Sequence, residues 1–300
     1  MTFVNNYLMR SLMFVPAHNE RLMNSAKNHS PDVFLLDLED SVQPIENKKK
    51  ARDHIVKYVQ EGAFRNSLIF PRINDRESGE LLKDLTSLTI PGIDGFMCPK
   101  SVSGNDVYFI DKLLETIEYE KGIAPGTFKI IPLIETASAV LNAHSICEAS
   151  KRVVAIAFGC EDFLTDIEGI NDPSGQSIFT PRAIISMAAR ASGVIPIDTV
   201  HVNVHDLDDL ERNLKIAKNL GFEGMLVLNP KELPLVHEYF SPSQEEVNEA
   251  NEMVALAADA YVEGKGVSVS KNRFIGPPMV NAAKKKLMKA LLIRNKLDNQ

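Results

Sequence analysis

The chain has 300 residues, 44% of them hydrophobic and 24% charged, with a formal net charge of −7 at pH 7. A chain of this size buries about three quarters of its unfolded surface, and its acidic balance argues against nucleic acid as a partner. Cys98, Cys147 and Cys160 are odd in number and show no CxxC spacing, which excludes a disulfide framework and a zinc knuckle and fits a reducing compartment.

The segment from Met1 to Ala17 lacks a basic leader and is broken by Arg10. No run approaches the roughly 18 apolar residues needed to cross a bilayer, so a cytoplasmic protein with no membrane partner is expected. Short runs of β-branched and aliphatic residues then recur: Ser11 to Val15, Val33 to Leu38, Ser67 to Ile73, Gly95 to Pro99, Lys129 to Glu135, Val153 to Phe158, Thr199 to Val204 and Met225 to Leu228. Several are nearly continuous apolar stretches, the pattern of parallel strands covered on both faces. Helical spacing lies between them; Leu207, Leu210, Leu214 and Ala217 share one face of a helix predicted over 207–220, opposite a charged one. Eight strands alternating with helices predict a (β/α)8 TIM barrel over residues 1–240. No G-x-G-x-x-G or phosphate-loop string occurs, so nicotinamide and nucleoside triphosphate readings lose their anchor. Residues 241–300 read as a C-terminal helical extension, jointed at Glu263-Gly264-Lys265-Gly266 and Gly276-Pro277-Pro278, that covers the mouth of its own barrel or a neighbour's. Lys284, Lys285, Lys286 and Lys289 read as a solvated face of that extension.

The working end of a TIM barrel is where its strands finish. The predicted strand ends carry Asp37, Glu39 and Asp40, then Arg72, Lys100, Glu135, and Gly159-Cys160-Glu161-Asp162. Acids converging on one mouth raise each other's pKa unless a cation sits among them. Glu135 and Asp162 offer oxygen alone, the ligation Mg²⁺ prefers, and leave positions for a substrate oxygen. Arg72 is placed to pair with a carboxylate or to stabilise an enolate oxygen. Taken singly, each residue also has a structural reading: strand-end acids cap helices, and Asp162 could cap the next one. Asp37, Glu39 and Asp40 are crowded enough that at least one holds Arg72 or a water in place of a metal. His201 and His205 have the i, i+4 spacing of a zinc helix but fall in a predicted strand, where they read as polar lining. His18 reads as a loop residue, and Cys160, beside acids, as inert.

Taken together, these strings resemble the citrate lyase β-subunit-like proteins of the HpcH/HpaI aldolase and citryl-CoA lyase superfamily. The resemblance rests on Arg10-Ser11-Leu12-Met13-Phe14-Val15-Pro16, Leu36-Asp37-Leu38-Glu39-Asp40-Ser41-Val42, Pro71-Arg72-Ile73-Asn74, Leu133-Ile134-Glu135-Thr136-Ala137 and Phe158-Gly159-Cys160-Glu161-Asp162-Phe163, in that order. It implies a TIM barrel, a Mg²⁺ site on Glu135 and Asp162, a substrate arginine at Arg72, an acyl-CoA or 2-oxo acid substrate, and a homo-oligomer, trimer or hexamer. Substrate contacts are expected from Arg10, Arg72, Lys100, Gly159 and Glu161. The reaction implied is cleavage of a β-hydroxy acyl-CoA of the citryl-CoA, citramalyl-CoA or malyl-CoA type.

Two departures bear on that reaction. Gly276 stands where the family carries the aspartate that exchanges the thioester's α-proton, and a glycine cannot transfer a proton. Asn229 stands where the family has a histidine. Gly276 therefore leaves open an aldolase on free 2-oxo acids, or a homologue that binds metal and CoA without turnover.

Overall fold

The computed structural model describes residues 7–172, 174–262, 268–270 and 273–298. Eight parallel strands form its centre: β1 (Ser11–Pro16), β2 (Val33–Asp37), β3 (Leu68–Ile69), β4 (Gly95–Cys98), β5 (Lys129–Ile134), β6 (Ala155–Phe158), β7 (Ile195–Asp198) and β8 (Gly224–Val227). They are hydrogen-bonded in the order β3-β2-β1-β8-β7-β6-β5-β4. Helices alternate with them: α1 (Glu20–Ala26), α2 (Asn47–Gln60), α3 (Leu81–Leu88), α4 (Gly104–Glu120), α5 (Ala137–Leu141), α6 (Ala143–Glu148), α7 (Cys160–Asp166), α8 (Gln176–Ser192) and α9 (Leu207–Leu220). Strands β2, β4, β6, β7 and β8 are buried at every residue, as the apolar runs require when helices cover the outside.

The seam between β3 and β4 is closed by the backbone around Arg72. Pro71 has no N–H to donate, and regular β3 pairing is cut to two residues. Pairing resumes one residue later, where Arg72 bridges Asp37 on one side and Met97 on the other. The Arg72 N–H donates to Leu36 O at 3.0 Å and the Leu38 N–H to Arg72 O at 3.0 Å, while the Met97 N–H donates to Pro71 O at 2.9 Å. With that seam tied, the strands make a nearly closed TIM-like barrel, as the sequence predicts.

Two expectations are corrected here. The seventh strand is Ile195–Asp198 and not Thr199 to Val204. Pro196 inside the true run weakens its strand signal, yet the proline fits, because it lies one residue before the β7–β8 register begins at Ile197 and Gly224. In α9, Leu210, Leu214 and Ala217 are buried, whereas Leu207, in the first turn, is exposed.

Asn229, which follows β8, caps a short 3-10 turn (Pro230–Glu232): its side chain accepts from the Lys231 N–H at 3.1 Å. Side-chain titration plays no part in that role. No described helix is long and apolar enough to cross a membrane.

The chain divides into two compact units, one of Met9–His237 and the other of residues 238–298 with residues 7–8. Next in chain order come α10 (Leu233–Phe240), α11 (Gln244–Val262), a short antiparallel pair β9 (Ser268–Ser270) and β10 (Arg273–Ile275), and α12 (Pro277–Asp298). The hairpin is an addition to the helical tail that the sequence predicts, and the Glu263-Gly264-Lys265-Gly266 joint lies outside the described residues. In the second unit, Lys286 Nζ pairs with Glu246 Oε1 at 2.9 Å, Lys289 Nζ lies 5.9 Å from the centre of the Phe240 ring, and Lys284 and Lys285 are exposed. The Gly276 carbonyl caps α12, accepting from the N–H groups of Met279 at 3.0 Å and Val280 at 3.2 Å.

Candidate active site

Parallel pairing sends every strand's last residue to the same end, and polar side chains gather there. Asp37 ends β2, Arg72 sits in the seam, Lys100 follows β4 by two residues, Glu135 follows β5, and Gly159 follows β6 and opens α7, whose first turn carries Glu161 and Asp162.

Arg72 is the hub of one half of this mouth. Its Nε donates to Asp37 Oδ1 at 2.6 Å and its Nη2 to Asp37 Oδ2 at 2.8 Å, a parallel two-bond pairing that fixes the guanidinium plane. Nη1 lies 2.9 Å from Glu39 Oε2 and 3.1 Å from Asp40 Oδ2. All three acids of the second-strand segment therefore hold the arginine. The Phe14 ring lies beneath it, 4.9 Å from Cζ, adding a cation–π contact that sequence reading did not single out. Lys48 Nζ binds the carbonyls of Leu38 at 2.7 Å and Glu39 at 2.6 Å and fixes the loop that presents these acids.

Burial and charge set the protonation of the group. Burial works to raise Asp37, but the Arg72 charge and hydrogen bonds, with those of Ser41 and the Glu39 N–H, hold its carboxyl below the usual value. Glu39 behaves oppositely: burial, reinforced by Asp40, Glu135 and Asp37, outweighs Arg72 and pushes it up to about 8. Geometry alone would place an ionised Glu39 between two cations, since Lys100 Nζ is also 3.6 Å away. Burial is the main reason it nevertheless takes up a proton so readily, and the charges of Asp40, Glu135 and Asp37 add to it.

The other half of the mouth is built around Glu135, which is 4% exposed. Its Oε1 accepts the backbone N–H of Lys100 at 2.5 Å. Gly159 lies so close beside it that a Cβ there would stand 2.9 Å from Glu135 Cβ and 3.2 Å from Oε2. Burial, with the charge of Asp162, lifts Glu135 to about 7, and Asp162 is also raised, by burial and then by Asp40. No described residue donates a hydrogen bond to the Asp162 carboxylate or to Glu135 Oε2. Two raised carboxylates with unused oxygens on an over-acidic mouth fit a hard divalent cation with oxygen ligands. Among the described residues no group of three or more His, Cys, Asp or Glu is placed to hold a metal.

Lys100 reaches the mouth from β4. Its Nζ pairs with Asp75 Oδ2 at 2.5 Å, and that hydrogen bond, ahead of the acids behind it, raises its pKa. Its backbone lies at φ +50, in a left-handed region that costs a non-glycine residue about 1–3 kcal/mol and survives only where its surroundings impose it.

Arg10 is not brought to this site. It precedes β1, at the opposite end of the barrel, and its guanidinium pairs with Asp32 through Nε at 2.8 Å and Nη2 at 2.9 Å. Six residues of strand separate it from Pro16, roughly 20 Å at the rise of a β-strand, so the expectation of a substrate contact from Arg10 is withdrawn. Glu161 is exposed, accepts from Asn171 Nδ2 at 2.9 Å, and faces a side cavity of about 520 Å³ whose walls include Cys160, Arg182, Asp198 and His201. Cys160 is buried, and burial with Glu161 beside it pushes the thiol up to about 12. His201 is buried, with Nε2 3.0 Å from Asp209 Oδ2 and Nδ1 3.9 Å from Glu232 Oε1, while His205 is exposed. The two histidines share no ligand site; His201 ties the loop after β7 to α9 and to the turn after β8.

Asp75 and Phe14 were not anticipated. Asp75 extends the polar run Arg72-Ile73-Asn74-Asp75 past the strand end, a signal that was present. Phe14 is one aromatic within an apolar strand, and only the position of Arg72 marks it.

The sequence of residues 10–230 matches the family model described as HpcH/HpaI aldolase/citrate lyase. The citrate lyase subunit beta of Haemophilus influenzae is 31% identical over 283 residues, covering 94% of this chain and 97% of that one. The mitochondrial citramalyl-CoA lyase of Rattus norvegicus is 29% identical over 306 residues, covering 96% and 87%. Among solved structures, CitE from Mycobacterium tuberculosis in complex with magnesium, acetoacetate and coenzyme A is 25% identical with a TM-score of 0.69, covering 93% of this chain and 97% of that chain. Aligned almost end to end with such relatives, and carrying the acids and the arginine at one barrel mouth, the chain belongs to the HpcH/HpaI aldolase/citrate lyase family.

Proposed function

We propose that this chain is a Mg²⁺-dependent carbon–carbon lyase that cleaves a β-hydroxy acyl-CoA of the citryl-CoA, citramalyl-CoA or malyl-CoA type into an acyl-CoA and a 2-oxo acid. The observation that carries the reading is the convergence of Glu135 and Asp162, each with unused carboxylate oxygen, on a mouth that also holds Arg72. The M. tuberculosis relative, crystallised with magnesium, an oxo acid and coenzyme A, supports the same ligand classes for this chain.

In the cleavage, the β-hydroxyl loses its proton and becomes the carbonyl of the oxo acid, the bond between the α- and β-carbons breaks, and its electron pair passes to the thioester as an enolate that is then protonated. Glu135 and Asp162 would hold Mg²⁺, which would supply Lewis-acid polarisation of the oxygen on the oxo-acid half. Arg72 supplies a fixed positive charge: Asp37 takes one hydrogen of Nη2, and the second is directed to substrate oxygen as negative charge develops there. The Asp37 pairing and the Phe14 ring hold the guanidinium in place, so little reorganisation accompanies that charge. Lys100 Nζ adds a second cation at the rim, and Gly159, by having no Cβ, leaves room beside Glu135 Oε2.

The test is Mg²⁺-dependent release of free oxo acid from citryl-CoA, citramalyl-CoA and malyl-CoA by wild type, Asp162→Asn and Gly276→Asp. Wild-type turnover that Asp162→Asn abolishes, with its thermal melting unchanged, supports the reading; turnover retained by Asp162→Asn overturns the metal assignment.

A second reading, an aldolase acting on free 2-oxo acids without CoA, is favoured by Gly276, which offers α12 a carbonyl cap and no titratable group. Exchange of pyruvate methyl protons in deuterated water tests it. Activity on acyl-CoA confined to Gly276→Asp would identify the natural chain as a binder or as an enzyme for another substrate. We also assign a homo-oligomeric state, trimer or hexamer, to be measured by light scattering.

A further inference from the structure

We infer that Lys100 is a positioning residue for Glu135 and that it acts through its backbone N–H, presented by a left-handed φ. The inference rests on the proposed role of Glu135 as a cation ligand and adds how that carboxylate is aimed. Only Lys100 and Glu168, among the described non-glycine residues, have positive φ. At Lys100 the unusual backbone coincides with a contact to the candidate site, because its N–H is the donor to Glu135 Oε1 at 2.5 Å. With the chain held both by β4 and by the loop that follows, an ordinary φ at Lys100 can be accommodated only by turning the peptide that carries that N–H.

The Lys100 ammonium adds contacts of its own at the rim. Nζ is 2.5 Å from Asp75 Oδ2 and 3.6 Å from Glu39 Oε1, so the strand-four loop is tied both to the loop after Arg72 and to the acids that grip Arg72. Oε1 of Glu135 is occupied by that backbone donor, and Gly159 carries no Cβ at the place where one would stand 3.2 Å from Oε2. One carboxylate oxygen is thus fixed by the backbone of Lys100, and Oε2 is left without a described donor. This is the pattern in which groups outside a metal's immediate ligands fix the ligand's direction.

Calorimetric Mg²⁺ titration of the full chain tests the inference without depending on turnover. Lys100→Gly and Lys100→Asn accept positive φ, whereas Lys100→Val and Lys100→Ala disfavour it. Glu135→Gln is the reference for loss of the ligand, and thermal melting verifies folding, with Lys100→Ala standing in should Lys100→Val fail to fold. The expected result is Mg²⁺ affinity within roughly threefold of wild type for Gly and Asn, and weaker by roughly tenfold or more for Val and Ala. Four variants that all match wild type overturn the inference. Four that all weaken equally overturn it as well, since the ammonium and not the backbone is then responsible. Wild type that binds no Mg²⁺, or Glu135→Gln that binds as tightly as wild type, instead removes the metal reading of Glu135, and this inference with it.

Discussion

Asp37 and Arg72 are joined twice, once as neighbours in the strand ladder and once through two side-chain hydrogen bonds of 2.6 and 2.8 Å. The ladder sets the distance between the two backbones and the carboxylate sets the plane of the guanidinium, so the arginine has little freedom left. Arg72→Lys keeps the charge but cannot make the parallel pair. Its kcat for oxo-acid release should fall by about 10²- to 10³-fold, the usual size of losing an oxyanion donor, with a small change in melting temperature. Arg72→Ala should add a stability loss of about 3–5 kcal/mol, because a buried Asp37 is left without its counter-charge. Steady-state kinetics beside urea unfolding separates the two effects; an Arg72→Lys enzyme with wild-type kcat would show that the guanidinium geometry is not used.

The same pair sets an acid limit. Asp37 has a depressed pKa in the fold, so at low pH the unfolded chain binds more protons there than the native one. The stabilisation is present above the usual aspartate value and is lost as pH falls through the depressed one. Urea unfolding followed from pH 6 down to pH 3 should show this loss in wild type and a shallower one in Asp37→Asn. Equal slopes would remove Asp37 from the acid response.

Glu39 carries the opposite sign. Its carboxyl rises from 4.5 to about 8 on folding, so between those values the native protein binds the extra proton and stability declines as pH rises. Without Mg²⁺, wild type should lose unfolding free energy between pH 5 and pH 8, and Glu39→Gln should lose less. Some decline remains, because Glu135, raised to about 7, acts in the same direction. A Glu39→Gln profile parallel to wild type is the result that counts against this assignment.

The barrel was legible in the sequence because parallel strands covered by helices leave long apolar runs, and seven of the eight runs overlap the observed strands. The seventh was displaced because Pro196 weakens the true run, while Thr199 to Val204, rich in valine, imitates a strand but forms the loop that His201 anchors. The strand-end acids were legible as a set, since polar groups at the ends of apolar strands have few reasons to recur. Arg10 misled because sequence order does not state which end of a strand a residue occupies relative to the mouth; its partner Asp32, at the start of β2, shows that it belongs to the floor. Lys100 was legible as a polar strand end, but its backbone conformation leaves no mark in a chain where the position is not glycine. The role of Gly159 was likewise hidden, because its effect comes from a side chain 24 residues earlier in the sequence.

That closeness gives the most local test of the carboxylate arrangement. Gly159 has φ −99, which any residue adopts, so Gly159→Ala introduces no backbone strain and its whole effect comes from one methyl group. The added Cβ would stand 2.9 Å from Glu135 Cβ, 3.2 Å from Glu135 Oε2 and 3.5 Å from Leu133 Cγ, so the glutamate must give way by a few tenths of an ångström. Overpacking of this kind costs about 1–3 kcal/mol of stability. The larger effect should be functional, because a displaced Oε2 no longer converges with Asp162: Mg²⁺ affinity and kcat should each drop by about tenfold or more. Titration calorimetry, turnover and melting on the one variant distinguish the cases. A protein destabilised but unchanged in metal affinity would place the cation away from Glu135, whereas loss of affinity with little loss of stability is the signature of a ligand pushed out of line.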